Sequence, residues 1–213
     1  MDEYTRPNRD STVLLTIDTQ NDFTLPRAPA EIDGTAEAVP QMQQLVEAFR
    51  TEESPIIHVV RLYRADGSNV DQCRKADIED GAIVVRPGTD GAELVKELRP
   101  SPDIRLNADR LLDGQFQQIG PQEYVMYKPR WSAFYRTELE KFLETRGIDT
   151  IVVCGCNFPN CPRTTIYEAS ERDYRIVFVP DATSGVYERG IRELENIDVS
   201  IKGTTETIDW LTA

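Results

Sequence analysis

"DTIVVCGCNFPNCPRTTIYEASERDYRIVFVPDAT", residues 149–183, sets the reading of the whole chain. It opens on a continuous apolar run rich in β-branched residues, 149–155. It turns through Gly, Cys, Asn and Pro. A helical segment, 162–174, follows with Pro162 at its first position, where the missing N–H costs nothing. A second apolar run occupies 175–182. Strands without polar alternation are buried on both faces, and a strand–helix–strand order joins parallel neighbours.

The same alternation extends along the chain. "STVLLTID" (11–18), "PIIHVVRLY" (55–63) and "EYVMYK" (123–128), the last closed by Pro129, read as three further buried strands. "AEAVPQMQQLVEAFRTEE" (36–53) has helical spacing and is expected to be interrupted or begun near Pro40. "TELEKFLETRG" (137–147) puts Leu139, Phe142 and Leu143 on one face and ends on Gly147 as its cap. "GIRELEN" (190–196) reads as a helix, "VSIK" (199–202) as a short sixth strand, and "TETIDWL" (205–211) as a last helix. The chain therefore reads as α/β, one domain over residues 1–213 with a parallel sheet covered on both faces. The stretch 64–121 stands apart, rich in Gly, Pro and Asp, with one helical pattern, "GAELVKEL" (91–98). It reads as an irregular excursion: a lid, an oligomer contact or a plain surface insertion.

Composition excludes some classes of function. Asp and Glu number 37 against 24 Lys and Arg, a net charge of −13, which repels nucleic acid and anionic membranes. Only 5 of the basic residues are Lys, a balance met in salt-adapted proteins and in ordinary acidic enzymes. No apolar run approaches a membrane span, and "MDEYTRPNRD" lacks the apolar core of a signal peptide. The expected location is the cytoplasm, where the 4 cysteines do not form a disulfide scaffold.

In an open parallel sheet, ligands sit beyond the carboxyl ends of the strands. Asp18 ends the first strand, Lys128 ends the third, and Cys161 opens the helix after the fourth. An acid, a base and a thiol therefore meet on one sheet edge. Cys154 lies inside a strand and reads as a small buried hydrophobe. Cys156 lies in the turn and is placed to line a pocket. Cys161, just before Pro162, is expected at the N-cap, where free N–H groups and the helix dipole favour a thiolate. Lys128 would lower its pKa further, and Asp18 would carry its proton. The alternative is a zinc site built from Cys73, Cys154, Cys156 and Cys161, although the C-x-C-x4-C spacing departs from the paired C-x-x-C of zinc modules. The single His58 lies within a strand and reads as a structural hydrogen-bonding residue.

"LLTIDTQNDF", "KPRWSAF" and "VVCGCNFPNCPRTTIYEASERDYRIVFVPDAT" together resemble the three signature blocks of the isochorismatase-like cysteine hydrolases, in order from about residue 11 to 202. The resemblance implies a three-layer α/β/α fold, Rossmann-like, with a six-stranded, mainly parallel sheet. It implies a catalytic triad of Asp18, Lys128 and Cys161, with no cofactor and no metal. It also implies a cis peptide at Cys156–Asn157 and an oxyanion hole from the N–H groups of Asn157 and Cys161.

Metal-binding nicotinamidases in that family carry an Asp-x-His…His cluster that this chain lacks, and vinyl-ether isochorismatases lack the cysteine that it has. The resemblance thus implies a metal-free amidohydrolase acting on a small amide, ureido or N-carbamoyl substrate. Two alternatives remain: a nicotinamidase-like amidase without the usual metal site, and a non-catalytic small-molecule-binding protein on the same fold. Phe23, Trp131 and Phe134 are candidate walls for a planar substrate, or else packing residues. Arg61 and Arg163 are candidates for a substrate carboxylate, or else surface ion pairs. Gln20 and Asn21 are expected to shape the loop around Asp18. Family members are dimers or tetramers, which makes 100–121 and Trp210 candidate contacts of a homo-oligomer.

Overall fold

A computed structural model describes residues 2–213 of the chain. In chain order the elements are β1 (Thr12–Ile17), α1 (Asn21–Thr24), α2 (Thr35–Thr51), β2 (Ile56–Val60), α3 (Gln72–Glu79), α4 (Ala108–Leu112), β3 (Gln117–Gly120), β4 (Glu123–Tyr127), α5 (Leu139–Glu144), β5 (Thr150–Gly155), α6 (Cys161–Ser170), β6 (Arg175–Thr183), α7 (Glu188–Glu195), β7 (Ser200–Ile201) and α8 (Thr204–Thr212). The sheet runs β3-β4-β2-β1-β5-β6-β7. Every pairing is parallel except β3 with β4. No helix among the described residues is long and apolar enough to cross a membrane.

Side chains of successive strand residues leave opposite faces, so an all-apolar strand feeds two cores. Val13, Leu15 and Ile17 pack with Leu139 and Leu143 of α5, Ile166 of α6 and Leu194 of α7. Leu14, between them, packs with Met42, Leu45 and Phe49 of α2 and Leu211 of α8. The sheet is thus the middle of three layers, and β1 lies at its centre, paired to β2 and β5. A third core joins Phe23, Leu62, Val70, Ile78, Val85, Leu94 and Leu111, and it roots the 64–121 excursion against the sheet.

Four expectations are corrected. The sheet has seven strands, because Gln117–Gly120 adds an antiparallel edge to β4. An edge strand is half solvated, so its sequence, QQIG, carries no apolar run. Helix α2 runs unbroken through Pro40. Pro40 is exposed and the Ala36 carbonyl that loses its bond is only half-buried, while the stripe Ala38, Val39, Met42, Leu45, Val46 and Phe49 holds the helix down.

"GAELVKEL" forms no α-helix, only 3-10 turns at Asp90–Ala92 and Lys96–Leu98. Its middle is instead drawn straight against the loop after β1: Gln20 bridges Leu94, Val95 N donates to Thr19 O at 3.0 Å, and Asn21 N donates to Glu93 O at 2.9 Å. Finally, no peptide bond among the described residues is cis, so Cys156–Asn157 is trans. The sharp turn is made one residue earlier by Gly155, at φ 119°. A Cβ there would lie 2.3 Å from Ile17 O, so no other residue fits.

His58 is tied into a buried network. Its Nδ1 lies 2.7 Å from Thr16 Oγ1, and its Nε2 donates to Glu123 Oε1 at 2.8 Å. Arg50 donates to both oxygens of the same carboxylate, at 2.8 and 2.7 Å. Burial pushes the Glu123 carboxyl up, but hydrogen bonds from His58 and Arg50 outweigh it and hold the group below its ordinary value near 4.5. A depressed carboxyl stabilises the fold fully above its unfolded pKa, and that contribution is lost as pH falls through the folded value. Glu123→Gln is therefore expected to cost about 1.5–3 kcal/mol at neutral pH, the range for hydrogen bonds to a charged group. It should also flatten the loss of stability below about pH 4.5, where the wild-type carboxylate takes up its proton. Chemical denaturation followed by circular dichroism across that range tests both; parallel curves for the two proteins would refute the assignment.

Candidate active site

Three elements bring three reactive groups to the carboxyl edge of the sheet. Asp18 follows β1 directly and adopts φ 53°, a left-handed conformation that Asp tolerates better than most residues. Lys128 follows β4, and its N–H donates to Val60 O at 3.0 Å. Cys161 is the first residue of α6, with Asn160 as the cap, one position further into the helix than its place before Pro162 had implied.

The Lys128 ammonium is fully buried. It donates to Asp18 Oδ2 at 2.8 Å, to Cys161 Sγ at 3.2 Å and to Arg130 O at 3.3 Å. Three donors meet three acceptors, which is what an ammonium removed from water requires. The other carboxylate oxygen, Asp18 Oδ1, is buried without a hydrogen-bond partner.

The surroundings of Cys161 work against the expected thiolate. Burial first, and the negative charge of Asp18 second, push the Cys161 thiol up to about 12, and the pull of Lys128 in the other direction does not offset them. Burial and the Asp18 charge thus favour the neutral thiol over the thiolate at rest. Cys156 is likewise pushed up to about 12, chiefly by burial, and Cys154 is raised by burial inside β5. Cys73 is exposed on α3, apart from the others. No group of three or more His, Cys, Asp or Glu side chains among the described residues is arranged to hold a metal ion.

The cavity over these groups encloses about 330 Å³, including its open mouth. Asp18, Cys156 and Cys161 line it, with Asn157 and Asn160 beside them; Phe23, Ile32 and Trp131 are its apolar lining, Arg61 and Arg74 its cations, and Tyr63 adds a neutral phenol. The backbone N–H groups of Asn157 and Cys161 donate to nothing among the described residues.

Of the residues put forward as substrate contacts, Phe23, Trp131 and Arg61 line this cavity, and Phe134 and Arg163 do not. Phe134 packs against Tyr174, ring centroids 5.7 Å apart, beneath the guanidinium of Arg172. Arg163 points to the outside of α6, where it pairs with Glu193 and the Tyr187 hydroxyl. Gln20 clamps the loop, donating to Arg61 O at 2.8 Å and Ala92 O at 2.6 Å and accepting from Arg61 N at 2.7 Å.

Sequence reasoning missed Tyr63, Arg74 and Asp71. Asp71 neutralises Arg61 and accepts from the Tyr63 hydroxyl at 2.9 Å. Burial raises the Asp71 carboxyl, but the bond and charge of Arg61 outweigh it and hold it below its ordinary value. The available signal was Arg61 itself: a cation at a buried strand end needs a carboxylate nearby.

Comparison with known proteins agrees with this fold. The model of the isochorismatase domain matches residues 12–196. A solved isochorismatase family protein from Desulfovibrio vulgaris superposes with a TM-score of 0.80 at 35% identity, covering 95% of this chain and 99% of that one. A protein named probable inactive nicotinamidase from Arabidopsis thaliana is 31% identical over 195 residues, 89% of this chain and 90% of its own length. The N-carbamoylsarcosine amidase of an Arthrobacter species is 27% identical over 203 residues, 92% of this chain and 70% of the enzyme. The fold, the matched domain and these relatives together establish that the chain belongs to the isochorismatase family of hydrolases.

Proposed function

We propose that the chain is a cysteine-dependent amidohydrolase that cleaves the C–N bond of a small amide, ureido or N-carbamoyl compound through an acyl-cysteine intermediate. One observation carries this reading: a buried ammonium holds Asp18 at 2.8 Å and Cys161 at 3.2 Å in the lining of a small cavity. The kinship with an N-carbamoylsarcosine amidase supports the substrate class.

The steps follow from the protonation states. Asp18 takes the proton from the neutral Cys161 thiol as Sγ attacks the carbonyl carbon. Negative charge grows on the carbonyl oxygen, and the unpartnered N–H groups of Asn157 and Cys161 are its proposed donors. Asp18 then gives its proton to the leaving nitrogen, the C–N bond breaks, and ammonia or an amine departs. Water attacks the thioester, losing its proton to Asp18. The C–S bond breaks, and sulfur recovers that proton. Lys128 keeps both partners in place throughout, and no net proton is gained or lost by the protein.

A second reading, ligand binding without turnover, is favoured by the name of the Arabidopsis relative, a probable inactive nicotinamidase. The two are separated by ammonia release and intact-protein mass spectrometry over a panel of amides, nicotinamide and N-carbamoyl compounds. The wild type is expected to release ammonia and carry a transient adduct on Cys161. Cys161→Ala and Asp18→Asn are expected to lose at least about a thousandfold in turnover, the scale seen when nucleophile or base is removed, with circular dichroism unchanged. Turnover by Cys161→Ala, or binding without any turnover by the wild type, would rule the amidohydrolase out.

The resting thiol yields a further expectation. Alkylation of native Cys161 by iodoacetamide should be slow at pH 7 and accelerate steadily up to pH 10, because the thiol titrates near 12. Asp18→Asn removes the negative charge that raises the thiol and leaves the ammonium to act alone. It should therefore speed alkylation at pH 7 while abolishing turnover. If the variant instead alkylates more slowly, Asp18 is not what holds the proton on sulfur.

A further inference from the structure

Asn157 and Cys161, the proposed oxyanion donors, bracket an irregular turn between β5 and α6. Within that turn Asn160 N donates to Asn157 O at 3.1 Å. Outward from it, Cys156 N donates to Ile17 O and Phe158 N to Ser184 O, each at 2.8 Å. A side chain supplies the other anchor. Phe158 is completely buried, its ring 4.9 Å from that of Phe178 in β6 and 5.3 Å from that of Tyr187, the cap of α7.

Gly190 stands against this ring. It is the third residue of α7, and no turn or left-handed φ requires a glycine there. Inside a helix, glycine costs about 1 kcal/mol relative to alanine. The ring supplies the reason for it. A Cβ on Gly190 would overlap Cε1 of Phe158 and stand 2.9 Å from its Cζ and from Cε2 of Tyr187. The ring has little freedom to retreat, because Phe178 and Tyr187 pack against it. Arg163 fastens α7 from α6, through Glu193 and the Tyr187 hydroxyl. Neither Phe158 nor Gly190 lines the cavity.

We infer that Phe158 and Gly190 are positioning residues: the ring sits in a slot that only glycine leaves open, and this seat sets where the Asn157 N–H points. The inference rests on the amidohydrolase reading for the oxygen that the N–H meets, and not for the seat itself. A donor serves a developing oxyanion over a narrow range of distance, and a displacement of about 1 Å can cost about 100-fold in rate. Helix α7 thus acts on the reaction from outside the cavity, through the turn.

The test begins with Gly190→Ala, which helix propensity alone would make stabilising. Its kcat on the best substrate of the amide and N-carbamoyl panel is expected to fall at least about tenfold, against roughly 100- to 1000-fold when such a donor is removed outright. Alkylation of Cys161 by iodoacetamide should be unchanged, because displacement at a saturated carbon generates no oxyanion. Amide hydrogen exchange over residues 156–161 should quicken. Adding Phe158→Leu should restore both kcat and exchange, since leucine lacks the ring atoms that the new Cβ strikes. Unchanged kcat in Gly190→Ala, an equal loss of turnover and alkylation, or a double variant no better than the single one overturns the inference. Should Gly190→Ala fail to fold, Phe158→Leu alone, which loosens the seat without a clash, is expected to lower turnover and spare alkylation; equal effects on the two overturn the inference. A wild type that turns nothing over defeats the amidohydrolase reading and leaves exchange to decide: quickened by Gly190→Ala and reset by Phe158→Leu upholds the seat, and exchange that does not move overturns it.

Discussion

The Lys128 ammonium is wholly removed from water, and a bare charge in that position is not tolerated. It is stable there because each of its three N–H bonds has an acceptor: a carboxylate oxygen, a sulfur and a carbonyl. Removing one partner of such a buried ion pair typically costs about 3–5 kcal/mol. The partners come from the ends of β1 and β4 and the start of α6, so the ammonium is satisfied only if strands that are distant in sequence take their places in the sheet. The local strain around it serves the same end. Asp18 sits at φ 53° and Gly155 at φ 119°, and both bend the chain so that strand ends become a site.

The same ion pair explains why the Cys161 thiol is pushed up and not down. Lys128 alone would favour a thiolate, and so would the start of α6. The carboxylate that neutralises Lys128 cancels most of that pull, and burial penalises a second anion beside the first. On the proposed chemistry this is an advantage. A permanent thiolate next to Asp18 would leave the carboxylate nothing to accept, whereas a neutral thiol gives it a proton to carry to the leaving nitrogen. Oδ1 of Asp18, buried and unpartnered, is the acceptor that remains.

The parallel core and the meeting of residues 18, 128 and 161 were legible because both follow from short-range rules. All-apolar runs specify strands buried on two faces, and reactive residues at successive strand ends specify a shared edge. What was illegible depended on contacts between distant segments. Helical spacing in "GAELVKEL" was real but irrelevant, since pairing with Thr19, Gln20 and Asn21 extends the backbone and sends Leu94 and Val95 into different cores. The break expected at Pro40 was overruled by six buried side chains on the other faces of α2. The thiolate expectation counted the helix start and the ammonium, but burial is not readable from a local motif. Arg163 looked like a site residue by its nearness to Cys161 in sequence. Two positions on, a helix has turned about 200°, and the side chain faces α7.

The excursion at 64–121 has a role in shaping the site beside those expected of it. It has a core of its own and two backbone bonds to the loop after β1. Through Asp71 it fixes Arg61, whose Nη1 donates to Lys128 O at 3.3 Å. Through Gln20 it fixes the turn that carries Asp18. Its helix α3 then presents Arg74 to the cavity. The division of labour is therefore physical. The sheet edge holds the reacting groups in a geometry that tolerates little change, because every donor of a buried ammonium must stay matched. The excursion lies outside that constraint, at the rim, where one side chain can be exchanged without unpairing a buried charge. A fold arranged in this way can alter what it binds at the far end of the cavity while leaving the chemistry at the near end untouched.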